Sequence, residues 1–135
     1  MGERFLIDTN VVIYTLEGSL PFAQKPIIAS IIDDELNISI ITKIELLSRQ
    51  LNEKDEKIIR EFIDRANIYP LENKIAETAS RIRKSYNLKI PDAVISATAL
   101  ENDFVLITRN AKDFSRVKEL KIYNPFETKN RSILF

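Results

Sequence analysis

Two hydrophobic rhythms alternate along the chain. Short apolar runs mark strands: Arg4-Phe5-Leu6-Ile7, Asn37-Ile38-Ser39-Ile40, Ile68-Tyr69, Phe104-Val105-Leu106-Ile107 and Lys121-Ile122-Tyr123. The run at Phe104 is continuous, the pattern of a strand covered on both faces. Between the runs, apolar residues recur every three or four positions and predict helices. Val11 to Leu16 begins one, with Thr9 or Asn10 as its expected N-cap. Ile27, Ile28, Ile31 and Ile32 mark a second over residues 21–33. Ile44, Leu47 and Leu51 mark a third over residues 41–51, where Thr42 and Glu45 have capping-box spacing. Ile58, Ile59, Phe62, Ile63 and Ala66 mark a fourth, and Leu71, Ile75, Ala79, Ile82 and Tyr86 a fifth over residues 72–86. The sixth, from Pro91, is apolar on nearly every side and should be covered all round. Its first turn holds Pro91, where a missing N–H costs nothing, and Asp92, which the helix dipole favours.

Strands alternating with helices predict an α/β domain with a short, mainly parallel sheet. One domain is expected over residues 1–126, followed by a tail over 127–135 that either pairs with a partner chain or frays.

Composition narrows the chemistry. The 135 residues suit one domain, and 44% apolar content supports one core. Cysteine and histidine are absent, so thiolate or imidazole metal sites and the commonest general base are excluded. Two glycines cannot build a P-loop or a dinucleotide fingerprint. Twenty basic and twenty acidic residues cancel, which argues against a uniform nucleic-acid coat but allows a local basic face. Asp8 interrupts the N-terminal apolar run and no run approaches membrane-spanning length, so a cytoplasmic protein without membrane contact is expected.

Acid–base or metal chemistry must therefore use carboxylates. Asp8, Glu45, Asp92 and the loop from Asn110 to Asp113 all fall at strand-to-helix junctions or helix starts. In a parallel sheet these share the carboxyl edge, where ligands bind. Carboxylates gathered there repel unless a cation joins them. Hard oxygen donors without His or Cys select Mg²⁺ or Mn²⁺. Such an ion can activate water towards a phosphodiester. Each acid also has a plainer reading, as a strand-end or capping residue. The cations Arg81, Arg83, Lys84 and Lys89 read first as dipole partners of the fifth helix and second as phosphate contacts.

Four motifs carry a resemblance. FLIDTNVVIYTL at 5–16, SIITKIELLSR at 39–49, IPDAVISATAL at 90–100 and VLITRNAKDF at 105–114 resemble, in family order, those of PIN-domain ribonucleases, most of all the VapC toxins of toxin–antitoxin pairs. The resemblance implies a three-layer α/β/α sandwich, a homodimer, and Mg²⁺- or Mn²⁺-dependent cleavage of RNA such as tRNA or rRNA. It also implies an antitoxin that blocks the site. It places Asp8, Glu45 and Asp92 at metal-site acids, with Thr9 and Asn10 as the polar pair after the first. Asn110 stands at a fourth catalytic position that is Asp in many members, and Asp113 is a candidate supplementary metal ligand. Thr9, Asn10, Thr108, Arg109 and Lys112 are expected at the substrate, with Arg81, Arg83, Lys84 and Arg116 as further cations. The alternative is a PIN fold that binds RNA or a partner without cutting. A phosphoaspartate enzyme fits poorly, because Asn10 stands where it needs a second Asp.

Overall fold

The structure is a computed structural model that describes residues 2–127; beyond Glu127 the expected tail lies outside the described residues. Strand β1 (Arg4–Ile7) leads into α1 (Thr9–Glu17). A 3₁₀ turn (Phe22–Gln24) and α2 (Lys25–Asp34) take the place of the single second helix expected from sequence. Then follow β2 (Asn37–Ser39), α3 (Ile40–Leu47), α4 (Glu53–Arg65), β3 (Asn67–Tyr69), α5 (Asn73–Tyr86) and α6 (Ile90–Glu101). Strand β4 (Phe104–Ile107), the short α7 (Ala111–Phe114) and β5 (Ile122–Tyr123) are the last elements among the described residues.

Among the described residues, all strand pairs are parallel. The ladders form a three-stranded sheet ordered β1-β4-β5 and a two-stranded sheet of β2 and β3. Side chains close the gap between them. Asn37, fully buried, donates from Nδ2 to the Phe5 carbonyl at 2.9 Å and accepts from Asn67 Nδ2 at 3.1 Å. One asparagine thus ties β1, β2 and β3 into one surface.

The strands alternate faces as their period of two requires. Leu6, Phe104 and Leu106 join the core under α5 and α6. Ile7, Val105 and Ile107 join the other core, under α1, α2 and α4. Two apolar cores on one sheet are the expected three layers. Each buried Leu, Ile or Phe contributes roughly 1.5–3 kcal/mol. Helix α6 is covered as its sequence predicts, with Ala93 to Ala99 all buried. Three apolar positions expected inward are exposed instead: Ile44 at 54%, Ile58 at 40% and Leu71 at 51%. Helix α3 turns Thr42 and Leu46 inward in place of Ile44, and Leu71 precedes the first turn of α5. Among the described residues no helix is long and apolar enough to cross a membrane.

Candidate active site

Strand register makes the first contact. In the parallel β1–β4 pair, Ile7 lies beside Ile107, so Asp8 leaves the sheet next to Thr108. The Thr108 hydroxyl donates to Asp8 Oδ2 at 2.7 Å. Asp8 Oδ1 accepts the Thr9 N–H at 2.8 Å, so Asp8, rather than Thr9 or Asn10, is the N-cap of α1. Asp8 is 7% exposed. Burial pushes its carboxyl up to about 6, against those two hydrogen bonds, and the charges of Asp92 and Glu45 push the same way.

Glu45 comes from α3. Its spacing from Thr42 suggested a capping box, but Ser39 caps this helix, accepting from the Ile41 N–H at 3.0 Å. Thr42 and Glu45 have a different connection. Thr9 Oγ1 lies 2.5 Å from Glu45 Oε1 and 3.0 Å from Thr42 Oγ1. A hydroxyl has one proton and a carboxylate only accepts. Thr9 therefore donates to Glu45, and the buried Thr42 hydroxyl donates to Thr9. This relay holds Glu45 against the start of α1.

Asp92 enters from the first turn of α6. Partial burial raises its carboxyl above the usual carboxylate range, as do the charges of Asp113 and Glu45, with Lys89 opposing. Asp8, Glu45 and Asp92 line one open cleft of about 590 Å³ with Thr9 and Asn10; Ile13, Ser48 and Arg49 complete its rim. Among the described residues, none of the three acids forms an ion pair within 4 Å. A separate hollow of about 270 Å³ at the other end of β1 includes Arg4 and Glu35. There the charges already pair at 2.6 Å.

The remaining expected residues divide. Thr108 is fully buried, so it is not a substrate contact; it holds Asp8 and accepts the Asn110 N–H at 2.9 Å. Asn110 donates from Nδ2 to Asp113 Oδ2 at 3.1 Å, and Arg116 binds Asp113 Oδ1 at 3.2 Å. This trio lies outside the cleft lining, although Asp92 feels the charge of Asp113. Arg109 is exposed but held. Its guanidinium donates to the Tyr14 hydroxyl at 2.8 Å and stacks 4.2 Å from the Phe126 ring centre. Lys112 and Lys84 are exposed, Arg81 pairs with Glu119 at 3.3 Å, and Arg83 donates to the Leu88 carbonyl at 3.0 Å. Sequence reasoning missed Thr42 as a positioning group, and Ser48 and Arg49 at the rim. Helical spacing was the available signal, because positions 42, 45, 48 and 49 share a face.

The donor set suits a hard divalent ion. It consists of carboxylates, one of them buried without a cationic partner. Among the described residues, no three carboxylates stand close enough to hold one ion together. Asp8 is pinned by two hydrogen bonds and Glu45 by one, from Thr9, whereas Asp92 is half-buried.

A three-layer parallel α/β fold that gathers acids at the carboxyl edge of its sheet defines a class of domain, and residues 5–120 match the PIN domain profile. The chain belongs to the PIN domain family. It is 28% identical over 126 residues to Ribonuclease VapC1 of Haemophilus influenzae (strain R2866), spanning 87% of this chain and 94% of that protein. A toxin–antitoxin complex from Klebsiella pneumoniae contains a chain 30% identical, with a TM-score of 0.72 and coverage of 90% of this chain and 98% of that one. VapBC-1 from nontypeable Haemophilus influenzae shares the fold, with a TM-score of 0.74 at 24% identity, covering 91% and 98% of the two chains.

Proposed function

We propose that this protein is a metal-dependent endoribonuclease, the toxin of a toxin–antitoxin pair, that hydrolyses RNA phosphodiester bonds. The observation that carries the reading is the one cleft lined by Asp8, Glu45 and Asp92, none of which forms an ion pair within 4 Å among the described residues. The similarity to Ribonuclease VapC1 and to a toxin–antitoxin chain supports it.

Asp8, Glu45 and Asp92 would hold Mg²⁺ or Mn²⁺, with Asp113, whose charge Asp92 feels, as a supplementary acid. When bound, the ion supplies charge for the phosphoryl oxygens and lowers the pKa of water. The chain's own contribution is orientation. Thr108 and the Thr9 N–H fix both Asp8 oxygens. The Thr42–Thr9 relay fixes Glu45 Oε1 and leaves its second oxygen free to take a ligand or a proton. Asn10 lines the cleft, and Lys112 and the clamped Arg109 offer positive charge at the β4 loop. A tRNA or rRNA substrate, a homodimer, an antitoxin that blocks the cleft and a cytoplasmic setting complete the proposal.

The test is cleavage of purified tRNA and rRNA with Mg²⁺ or Mn²⁺. Activity should vanish with EDTA and fall by about 10²-fold or more in Asp92→Asn. The binding-only reading draws on Asn110 in place of an acid and on the spread of the carboxylates. It prevails if the protein retains RNA but cuts none with any divalent ion.

A further inference from the structure

We propose that Arg49 is a substrate-contacting residue that grips an RNA phosphate beside the three acids; this rests on the nuclease reading above. The first observation is position. Among the described residues, Arg49 is the one cation that lines the acid cleft. It also lines, with Ile13, a neighbouring hollow of about 170 Å³ between α1 and α4. Its side chain therefore stands where the two depressions meet.

The second observation is its lack of a partner. Among the described arginines, Arg4, Arg60, Arg65, Arg81 and Arg116 each pair with a carboxylate within 4 Å. Arg83 donates to a carbonyl, and Arg109 is clamped by Tyr14 and Phe126. Arg49 alone has no side-chain hydrogen bond, ion pair or ring contact among the described residues, and it is exposed. It follows Glu45 by four positions, a spacing that commonly pairs on a helix. Here α3 ends at Leu47, with Ser48 as its cap, and Glu45 accepts from Thr9 instead. Among the described residues no carboxylate lies within ion-pair distance of Arg49, although Glu17 and Asp55 share the second hollow with it.

A protein with zero net charge must concentrate positive charge where it meets RNA. A substrate phosphate approaching three acids is repelled. One unpaired guanidinium at the rim offsets that repulsion, and its planar fork suits two phosphate oxygens. The plainer reading is that Arg49, just beyond the C-terminus of α3, compensates the helix dipole. That role affects stability and leaves substrate affinity unchanged.

The experiment compares wild type, Arg49→Gln and Arg49→Lys. Cleavage of bulk tRNA and of a single-stranded oligoribonucleotide is followed with Mn²⁺. Binding of the same RNAs, fluorescently labelled, is followed by anisotropy in Ca²⁺ across a salt titration. In Arg49→Gln, KM should rise about tenfold with kcat within about twofold. The slope of log affinity against log salt should shrink by about 0.7 for the single strand. Arg49→Lys should recover part of the affinity, and the melting temperature and Mn²⁺ affinity should stay at wild-type values. Unchanged KM, affinity and salt slope in Arg49→Gln would overturn the assignment. So would a changed Mn²⁺ affinity with RNA binding intact, which would make Arg49 a counter-ion of the acids. If wild type binds RNA but never cuts it, the nuclease reading falls; weaker binding by Arg49→Gln would still uphold Arg49 as the phosphate contact. If wild type neither cuts nor binds these RNAs, both fall.

Discussion

Asp8 is held in place by contacts that do not remove the cost of burying it. Its carboxyl is raised to about 6 from an ordinary 3.8, with desolvation the largest cause. The folded chain therefore binds a proton more readily than the unfolded chain between those values. Without metal, the Asp8 contribution to stability is fullest below about pH 3.8 and is lost as pH rises through about 6. At neutral pH the ionised group costs up to about 3 kcal/mol. Asp8→Asn should raise the metal-free melting temperature at pH 7, measured calorimetrically, while abolishing RNA cleavage. An amide still caps α1 and can donate to the Thr108 hydroxyl. Thr42 tests the opposite case, a buried group with no charge. Thr42→Val keeps the shape and removes the proton that steers Thr9, so activity or metal affinity should fall about tenfold. Thr9→Val and Thr42→Val together should cost less than the sum of the two, because both break the same chain; a double-mutant cycle on kcat/KM reads this. The Thr42–Glu45 spacing was legible in the sequence, but its use was not. Capping depends on where the helix starts, and Ser39 starts it.

At the scale of elements, the β4–α7 loop and the end of β5 form one unit. Arg109 is stacked on Phe126, and the Tyr14 and Phe126 rings meet edge to face with centres 5.0 Å apart. This unit holds the loop that carries Thr108, the partner of Asp8. Phe126→Ala should lower the unfolding free energy by about 1–2 kcal/mol. It should also speed hydrogen exchange at the amides of Arg109 and Asn110. No periodicity announces such a contact, because residues 14, 109 and 126 meet only when α1 and β5 flank β4. The sheet makes the same point. Strands β1 and β4 were evident as apolar runs, whereas the join between β1 and β2 rests on Asn37. Replacing Asn37 by Ala removes both hydrogen bonds and leaves the part-buried Phe5 carbonyl without this donor, while the exposed Asn67 amide turns to water. It should lower the unfolding free energy from urea denaturation by about 1–2 kcal/mol.

At the scale of the whole molecule, the acids belong to different layers and respond together. A divalent ion that binds the folded state alone stabilises it by about 2.7 kcal/mol at a hundredfold excess over Kd. Mn²⁺ should therefore raise the melting temperature of wild type and leave Asp8→Asn nearly unmoved; equal shifts in both would place the ion elsewhere. The α/β class, the order of strands and helices, and the arrival of Asp8, Glu45 and Asp92 at one sheet edge were already legible in the residue pattern. Hydrophobic period and chain direction are local properties, and a parallel sheet turns them into a common rim. Folding in three dimensions set which hydroxyl holds which carboxylate, buried Thr108, clamped Arg109 and left Arg49 without a partner among the described residues. Those outcomes depend on strand register and on competition among donors from distant segments, and neither is encoded in the spacing of any one segment.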